Sequence, residues 1–179
     1  LRLSGNGKLA LRHIISCNNL GARIKESGCM LREMIPETDM DCVAEMETQC
    51  FSDPWTPEMI LDSLRTGLDT WLILEEEGEA SGYCVFRTIA GEAELLRIGV
   101  RPPLRGLGYG KKLMEGVVEN SRKNGVTAIA LEVREGNTPA RSLYKSYGFK
   151  EECIRSDYYR DPKEDAVIMW NREISNIYH

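Results

Sequence analysis

Between residues 105 and 110 the chain reads Arg105-Gly106-Leu107-Gly108-Tyr109-Gly110. Glycines at alternate positions let backbone N–H groups approach an anion closely, because no side chain intrudes. Leu113, Met114, Val117 and Val118 then repeat on one face and predict a helix. A helix start adds unpaired N–H groups and the positive end of the dipole. A phosphate or pyrophosphate is the guest that such a loop suits. It is not a magnesium-binding phosphate loop, because Gly110-Lys111-Lys112 lacks the Ser or Thr required. It is not the dinucleotide fingerprint either: the third glycine comes one residue early, and no nearby acid serves a ribose. Taken alone the triplet reads first as a plain Gly-rich turn, since such short motifs are weak.

The loop has to be held by regular elements on both sides. A first strand fits residues 30–34. Thr38 or Asp39 can cap a helix that turns Met40, Val43, Met46 and Cys50 inward. Thr56-Pro57-Glu58 is a second helix start, with a hydroxyl cap, a first-position Pro and an acid in the first turn. Met59, Ile60 and Leu64 give its buried stripe. Strands fit residues 70–75, 82–88 and 94–100, the first two joined across Glu77-Gly78-Glu79. The Gly-rich loop opens a helix running to about Asn124, and Gly125 suits its end. A strand follows at residues 127–133. Thr138-Pro139 starts another helix, which Gly148 ends, and two last strands fit residues 149–154 and 166–170. Strand–helix alternation around an antiparallel meander predicts an α/β fold with a mixed sheet, not a doubly wound parallel one.

The length of 179 residues fits one domain with its own core. Hydrophobic residues at 42% and charged residues at 28% exclude disorder and fibrous repeats. A net charge of −5 excludes a general nucleic-acid binder and would steer cationic partners. No apolar run approaches the ~18 residues of a membrane span. The six cysteines form no C-x-x-C pair and only two His are present, so no metal is expected. Scattered cysteines of this kind read as reduced cytosolic thiols, mostly buried. Residues 1–32 differ from the rest, with six basic residues and one acidic, a charge of +5 that leaves −10 for the remainder. Residues 1–29 are read as an extension of uncertain origin: a transit peptide, a basic tail or a mis-set start. The domain is expected over residues 30–179.

The pattern Arg/Gln-x-x-Gly-x-Gly/Ala between a strand and a helix resembles the coenzyme A pyrophosphate motif of the GNAT acetyltransferase family, and residues 105–110 match it. The resemblance extends through Phe51-Ser52-Asp53-Pro54-Trp55, Leu131-Glu132-Val133-Arg134, Asn137, Leu143-Tyr144-Lys145-Ser146-Tyr147-Gly148-Phe149, and Tyr158-Tyr159 with Glu164-Asp165-Ala166. These segments, in this order from about Met30 to the C-terminus, are similar to the RimI-type branch, the bacterial ribosomal-protein-alanine N-acetyltransferases. The resemblance implies a GNAT fold, a mixed and mostly antiparallel sheet flanked by helices with splayed central strands. It implies acetyl-CoA as cosubstrate and no metal. It also implies cofactor contacts from the backbone of Ile98, Gly99 and Val100, from Arg105, Gly106, Leu107, Gly108, Tyr109 and Gly110, and from Asn137 and Tyr144.

Acetyl transfer from a thioester to an amine needs a neutral amine, a stabilised oxyanion and a protonated leaving thiolate. Glu132 shares a strand face with Ala128 and Ala130, whose small side chains leave room for a cleft. A carboxylate there can take the amine proton, directly or through water. A solvated or salt-bridged Glu fits the same spacing, and the family resemblance favours the general base. Tyr144 carries a phenol of pKa ~10, suited to protonating a thiolate near neutrality. A core tyrosine, as Tyr147 reads, is its alternative; the family segment from Asn137 to Phe149 favours the acid. A peptide α-amine has pKa near ~8 and Lys near ~10.4, so a modest base suits an N-terminus better than a lysine. Phe51, Trp55, Tyr158 and Tyr159 are expected either to line a peptide entrance or to pack in the core.

The function implied is acetylation of a protein N-terminal α-amine, that of the alanine of small-subunit ribosomal protein eighteen, in the cytoplasm. The partner is then a basic protein, with no direct nucleic-acid or membrane binding. A GNAT enzyme for a small-molecule amine would use the same loop and differ only in its acceptor pocket. A non-catalytic acetyl-CoA-binding module is the reading from another class, and Glu132 with Tyr144 argue against it.

Overall fold

A computed structural model describes residues 28–174. Its elements run β1 (Cys29–Glu33), α1 (Pro36–Cys50), α2 (Pro57–Arg65), β2 (Asp69–Glu76), β3 (Glu79–Ile89), β4 (Glu92–Val100), a short 3-10 turn (Pro102–Leu104), α3 (Tyr109–Lys123), β5 (Ala128–Arg134), α4 (Thr138–Ser146), β6 (Lys150–Arg160) and β7 (Lys163–Asn171). Of the extension expected at residues 1–29, residues 1–27 lie outside the described residues, and Cys29 belongs to β1.

One seven-stranded sheet has the order β1-β2-β3-β4-β5-β7-β6. All pairings are antiparallel except β4 with β5. This is the mixed, mostly antiparallel architecture expected. Strand alternation divides the core between two faces. Leu72, Leu74, Cys84 and Phe86 point to a cluster shared with Leu113, Met114 and Val117 of α3. Their neighbours Trp71, Ile73, Tyr83 and Val85 point to the other, with Val43 and Met46 of α1 and Ile60 of α2. Central strands covered on both faces read as continuous apolar runs, which is why Trp71-Leu72-Ile73-Leu74 is so clean.

Several local expectations shift. Helix α1 starts at Pro36, with Ile35 as its N-cap, so Thr38 and Asp39 lie inside the first turn and not at the cap. Asp39 instead reaches back to accept from the Ile35 N–H at 2.7 Å and takes Arg32 of β1 in a bidentate pair at 2.6 and 2.8 Å. The guanidinium beside it holds the Asp39 carboxyl below the usual carboxylate range. Thr56 caps α2 as expected, accepting from the Met59 N–H. Met59 itself is exposed, and Ser63 takes the buried place one turn past Ile60 by bonding the Trp71 indole at 3.0 Å and Asp69 at 2.5 Å. The cysteines are not mostly buried: only Cys84 is, among those described, while Cys153 is exposed. The last two strands are longer than the apolar pattern suggested; β6 is an edge strand with no buried residue to mark it.

Candidate active site

The site is created where the sheet forks. Parallel pairing of β4 with β5 ends at Leu95↔Leu131. At the same place β4 bulges: Val85 faces Arg97 while Phe86 faces Leu95, which leaves Leu96 as an extra residue. A bulge bends its strand. Beyond it β4 stays on β3, with Ile98, Gly99 and Val100 opposite Cys84, Tyr83 and Gly82. β5 stays on β7, with Glu132, Val133 and Arg134 opposite Ile168, Val167 and Ala166. The two strands therefore diverge, and the β4 edge over residues 98–100 has lost its strand neighbour. Glu132 is the first β5 residue past the fork.

The Gly-rich loop closes the same end of the sheet. Gly106 and Gly108 have φ of 77° and 88°, a region that favours glycine. Gly108 is the N-cap of α3, and its carbonyl accepts from the N–H groups of Lys111 at 3.0 Å and Lys112 at 3.2 Å. The N–H groups of residues 106–110 meet no acceptor among the described residues. Arg105 folds back, its Nε donating to the Val100 carbonyl at 3.2 Å. The Tyr109 hydroxyl donates to Glu76 at the end of β2, which pushes the phenol up to about 12 and ties the loop to the sheet. A Cβ on Gly110 would lie 3.4 Å from Leu143 Cδ2, so α4 packs beside the loop. Asn137 is the N-cap of α4, its Oδ1 accepting from the Ala140 N–H at 3.2 Å. That bond leaves its amide donors for a ligand.

Glu132 is partly exposed and pairs with Arg155 of β6. A hydrogen bond to Glu132 holds the Tyr158 phenol above its ordinary pKa. The half-buried Tyr159 phenol is raised first by desolvation and then by the Glu132 charge. Tyr144 is 5% exposed and packs against Phe149 with ring centroids 5.9 Å apart. Desolvation raises its pKa most, and Tyr159 raises it further. The Tyr144 hydroxyl has no hydrogen-bond partner among the described residues, yet it is not among the sealed, unpartnered polar atoms. Tyr147, the core tyrosine expected, instead donates to the Lys111 carbonyl at 3.1 Å.

The loop joining α1 to α2 forms another wall. Arg97, on the bulged segment of β4, lies 4.4 Å over the Phe51 ring and 5.3 Å over Trp55. Its Nη2 donates to the Asp53 carbonyl at 2.9 Å. Arg134, at the end of β5, lies 4.1 Å over the Tyr159 ring and donates to Ser52 Oγ at 2.8 Å and to the Asp161 carbonyl at 2.8 Å. Phe51 and Trp55 are half-buried, and Tyr158 is exposed. Neither arginine had been given a role from sequence. Arg97 carried one signal, a cation within the apolar run Leu95-Leu96-Arg97-Ile98.

An unpaired row of loop N–H groups, a free strand edge and a carboxylate just past the fork lie at one end of the sheet. The sequence profile of the Acetyltransferase (GNAT) family matches residues 40–149. The ribosomal protein bS18-alanine N-acetyltransferase of Haemophilus influenzae is 34% identical over 139 residues, covering 75% of this chain and 93% of that protein. The Escherichia coli K12 protein of the same name is 31% identical over 134 residues, covering 74% of this chain and 90% of its own. The crystal structure of the E. coli ribosomal-protein-S18-alanine N-acetyltransferase superposes with a TM-score of 0.75 at 29% identity, over 84% of this chain and 99% of that one. With the fold, the fork and the profile agreeing over most of its length, the chain belongs to the GNAT acetyltransferase family.

Proposed function

We propose that this enzyme transfers an acetyl group from acetyl-CoA to the N-terminal α-amine of a protein, the alanine of ribosomal protein bS18. The observation that carries the reaction type is the fork, which sets a free strand edge opposite a carboxylate. The acceptor rests on the names of the relatives. Acetyl-CoA supplies an activated acyl thioester. The N–H groups of residues 106–110 and the start of α3 suit its pyrophosphate. The residues 98–100 edge binds its extended arm by main-chain hydrogen bonds, and an N–H there polarises the acyl carbonyl. Asn137 donates to the cofactor through its side-chain amide. Glu132 takes the amine proton, directly or through water. Tyr144 gives its proton to the departing thiolate. The walls carrying Phe51 and Trp55 on one side and Tyr158 and Tyr159 on the other hold the peptide. No helix among the described residues is long and apolar enough to cross a membrane, and we place the reaction in the cytoplasm.

Incubating the protein with acetyl-CoA and a panel of N-terminal peptides, read by mass spectrometry, tests this reading. A gain of one acetyl group on the α-amine of an Ala-starting bS18 peptide supports it. Acetylation of small amines with none on the peptides overturns it.

Gly108→Val is expected to raise the Michaelis constant for acetyl-CoA about tenfold or more while that for peptide changes about twofold at most. The substitution also places a β-branched residue at φ 88°, which costs about 1–2 kcal/mol of stability. The kinetics are therefore compared at a temperature where the variant is folded. Unchanged acetyl-CoA affinity in that state would sink the cradle.

A chain starting at Met30 is expected to keep its fold and its activity. Among the described residues it loses Gly28 and the first residue of β1, Cys29, with that residue's packing on the core and its thiol bond to Glu76, 3.2 Å long. Thermal melting and turnover of the shortened protein check this. Failure to fold would assign residues 1–29 to the domain.

A further inference from the structure

Glu47 of α1 is 0% exposed, and the proposed chemistry makes no use of it. Its Oε1 accepts from the Tyr83 hydroxyl, and its Oε2 accepts from the Trp55 N–H at 2.9 Å. No cation is salt-bridged to it among the described residues. Burying a carboxyl on hydrogen bonds alone is a poor way to gain stability, and an apolar side chain of similar volume would serve a core better. What the arrangement supplies is position.

The two donors come from the two halves of the site. Tyr83 is the floor beneath the β4 edge: it pairs with Gly99, and a Cβ on Gly99 would lie 2.9 Å from its ring. Trp71 stacks under Tyr83 at 5.9 Å, and Trp55 meets Trp71 edge-on at 5.8 Å. Trp55 ends the α1–α2 loop, the wall that Arg97 and Arg134 hold through Asp53 and Ser52. Those arginine contacts are exposed. The Glu47 bond to Trp55 runs from a fully buried carboxyl.

We propose that Glu47 is a positioning residue that fixes the acceptor wall at Trp55 to the floor under Gly99, and so sets peptide binding and not acyl-CoA binding. This rests on the reading of Phe51 and Trp55 as the peptide wall. Glu47→Gln keeps the volume but removes the charge and one acceptor oxygen, so that the Tyr83 hydroxyl has to turn and accept if the Trp55 N–H keeps its partner. Tyr83→Phe removes only the hydroxyl and keeps the ring stack, and it serves if the first variant folds poorly.

In Glu47→Gln the peptide Michaelis constant is expected to rise about tenfold, with acetyl-CoA dissociation and kcat within about threefold of the parent. Tyr83→Phe is expected to move the same way by a smaller factor. Amide hydrogen exchange over residues 51–55 should quicken in both variants while residues 106–110 exchange at the parent rate. A purely structural role would lower kcat with the folded fraction and leave the peptide constant alone. That result, an equal rise in both constants, or unchanged exchange over residues 51–55 would overturn the proposal. If the parent acetylates no peptide, the acceptor reading has failed, and the exchange measurement still decides whether Glu47 holds the wall.

Discussion

Glu132→Gln is expected to lower turnover at pH 7 by about 10²–10⁴-fold, the usual worth of a positioned base. The loss should shrink as pH rises, because the base is needed only while the amine is protonated. With an α-amine pKa near ~8, about a tenth is neutral at pH 7 and about nine tenths at pH 9, so about tenfold of the loss returns. The substitution is mild for the fold. Arg155, the ion-pair partner, is 55% exposed at its side chain, and such a pair contributes at most about 1 kcal/mol. Glutamine still offers an oxygen to Arg155 and Tyr158. Acetyl-CoA affinity should hold, since the cradle and the β4 edge lie on other elements. A pH–rate profile with an Ala-starting peptide is the measurement. A variant within about threefold of the parent at every pH would remove Glu132 from the proton path.

The parts of this site that were legible in the sequence are those whose geometry is local. The Gly-rich loop is one, because alternate glycines next to a helical repeat dictate an exposed N–H cradle within six residues. The starts of α2 and α4 are others, each with a capping side chain and a Pro within the first two helical positions. Glu132 was placed on a strand face by its small neighbours Ala128 and Ala130. The fork itself was not legible. It depends on one extra residue, Leu96, in the pairing of β4 with β3, and a bulge leaves no mark in an apolar run. Glu47 was not legible either. It sits between Met46 and Thr48, where an acid on a helix reads as surface, and its burial arises only when Tyr83 and the α1–α2 loop close over it. Met59 was misread because its helix presents Ile60 and Ser63 to the core, and a serine does not stand out in an apolar stripe. In β6 the missing signal was burial, since an edge strand exposed on both faces carries no alternation. The family resemblance covered part of this gap, because it carried the fork along with the motif.

Tyr144→Phe is expected to depress turnover by a comparable ~10²–10⁴-fold, with no recovery at high pH. The substitution is close to a pure deletion of chemistry. The ring keeps its packing on Phe149, and the hydroxyl it removes bonds nothing among the described residues, so no buried partner is stranded. Burial raises the Tyr144 pKa above the ordinary phenol value. The group therefore stays protonated through the pH range in which the α-amine titrates, and the parent profile should show no alkaline fall below about pH 10 from loss of this acid. A raised pKa makes a phenol a weaker donor in water. In the same water-poor pocket the departing thiolate is also deprived of solvation, which raises its own proton affinity and keeps the transfer favourable. Because no solvent acid strengthens as pH rises, the variant's deficit should be constant or grow from pH 7 to pH 9, opposite in trend to that of Glu132→Gln. Acetyl-CoA affinity is expected to fall slightly, because the phenol lies beside the sulfur in the proposed complex. If the two variants give profiles of the same shape, the assignment of acid and base to separate residues is wrong. If Tyr144→Phe turns over within about threefold of the parent, the thiolate leaves without this phenol, and Tyr144 is a core side chain.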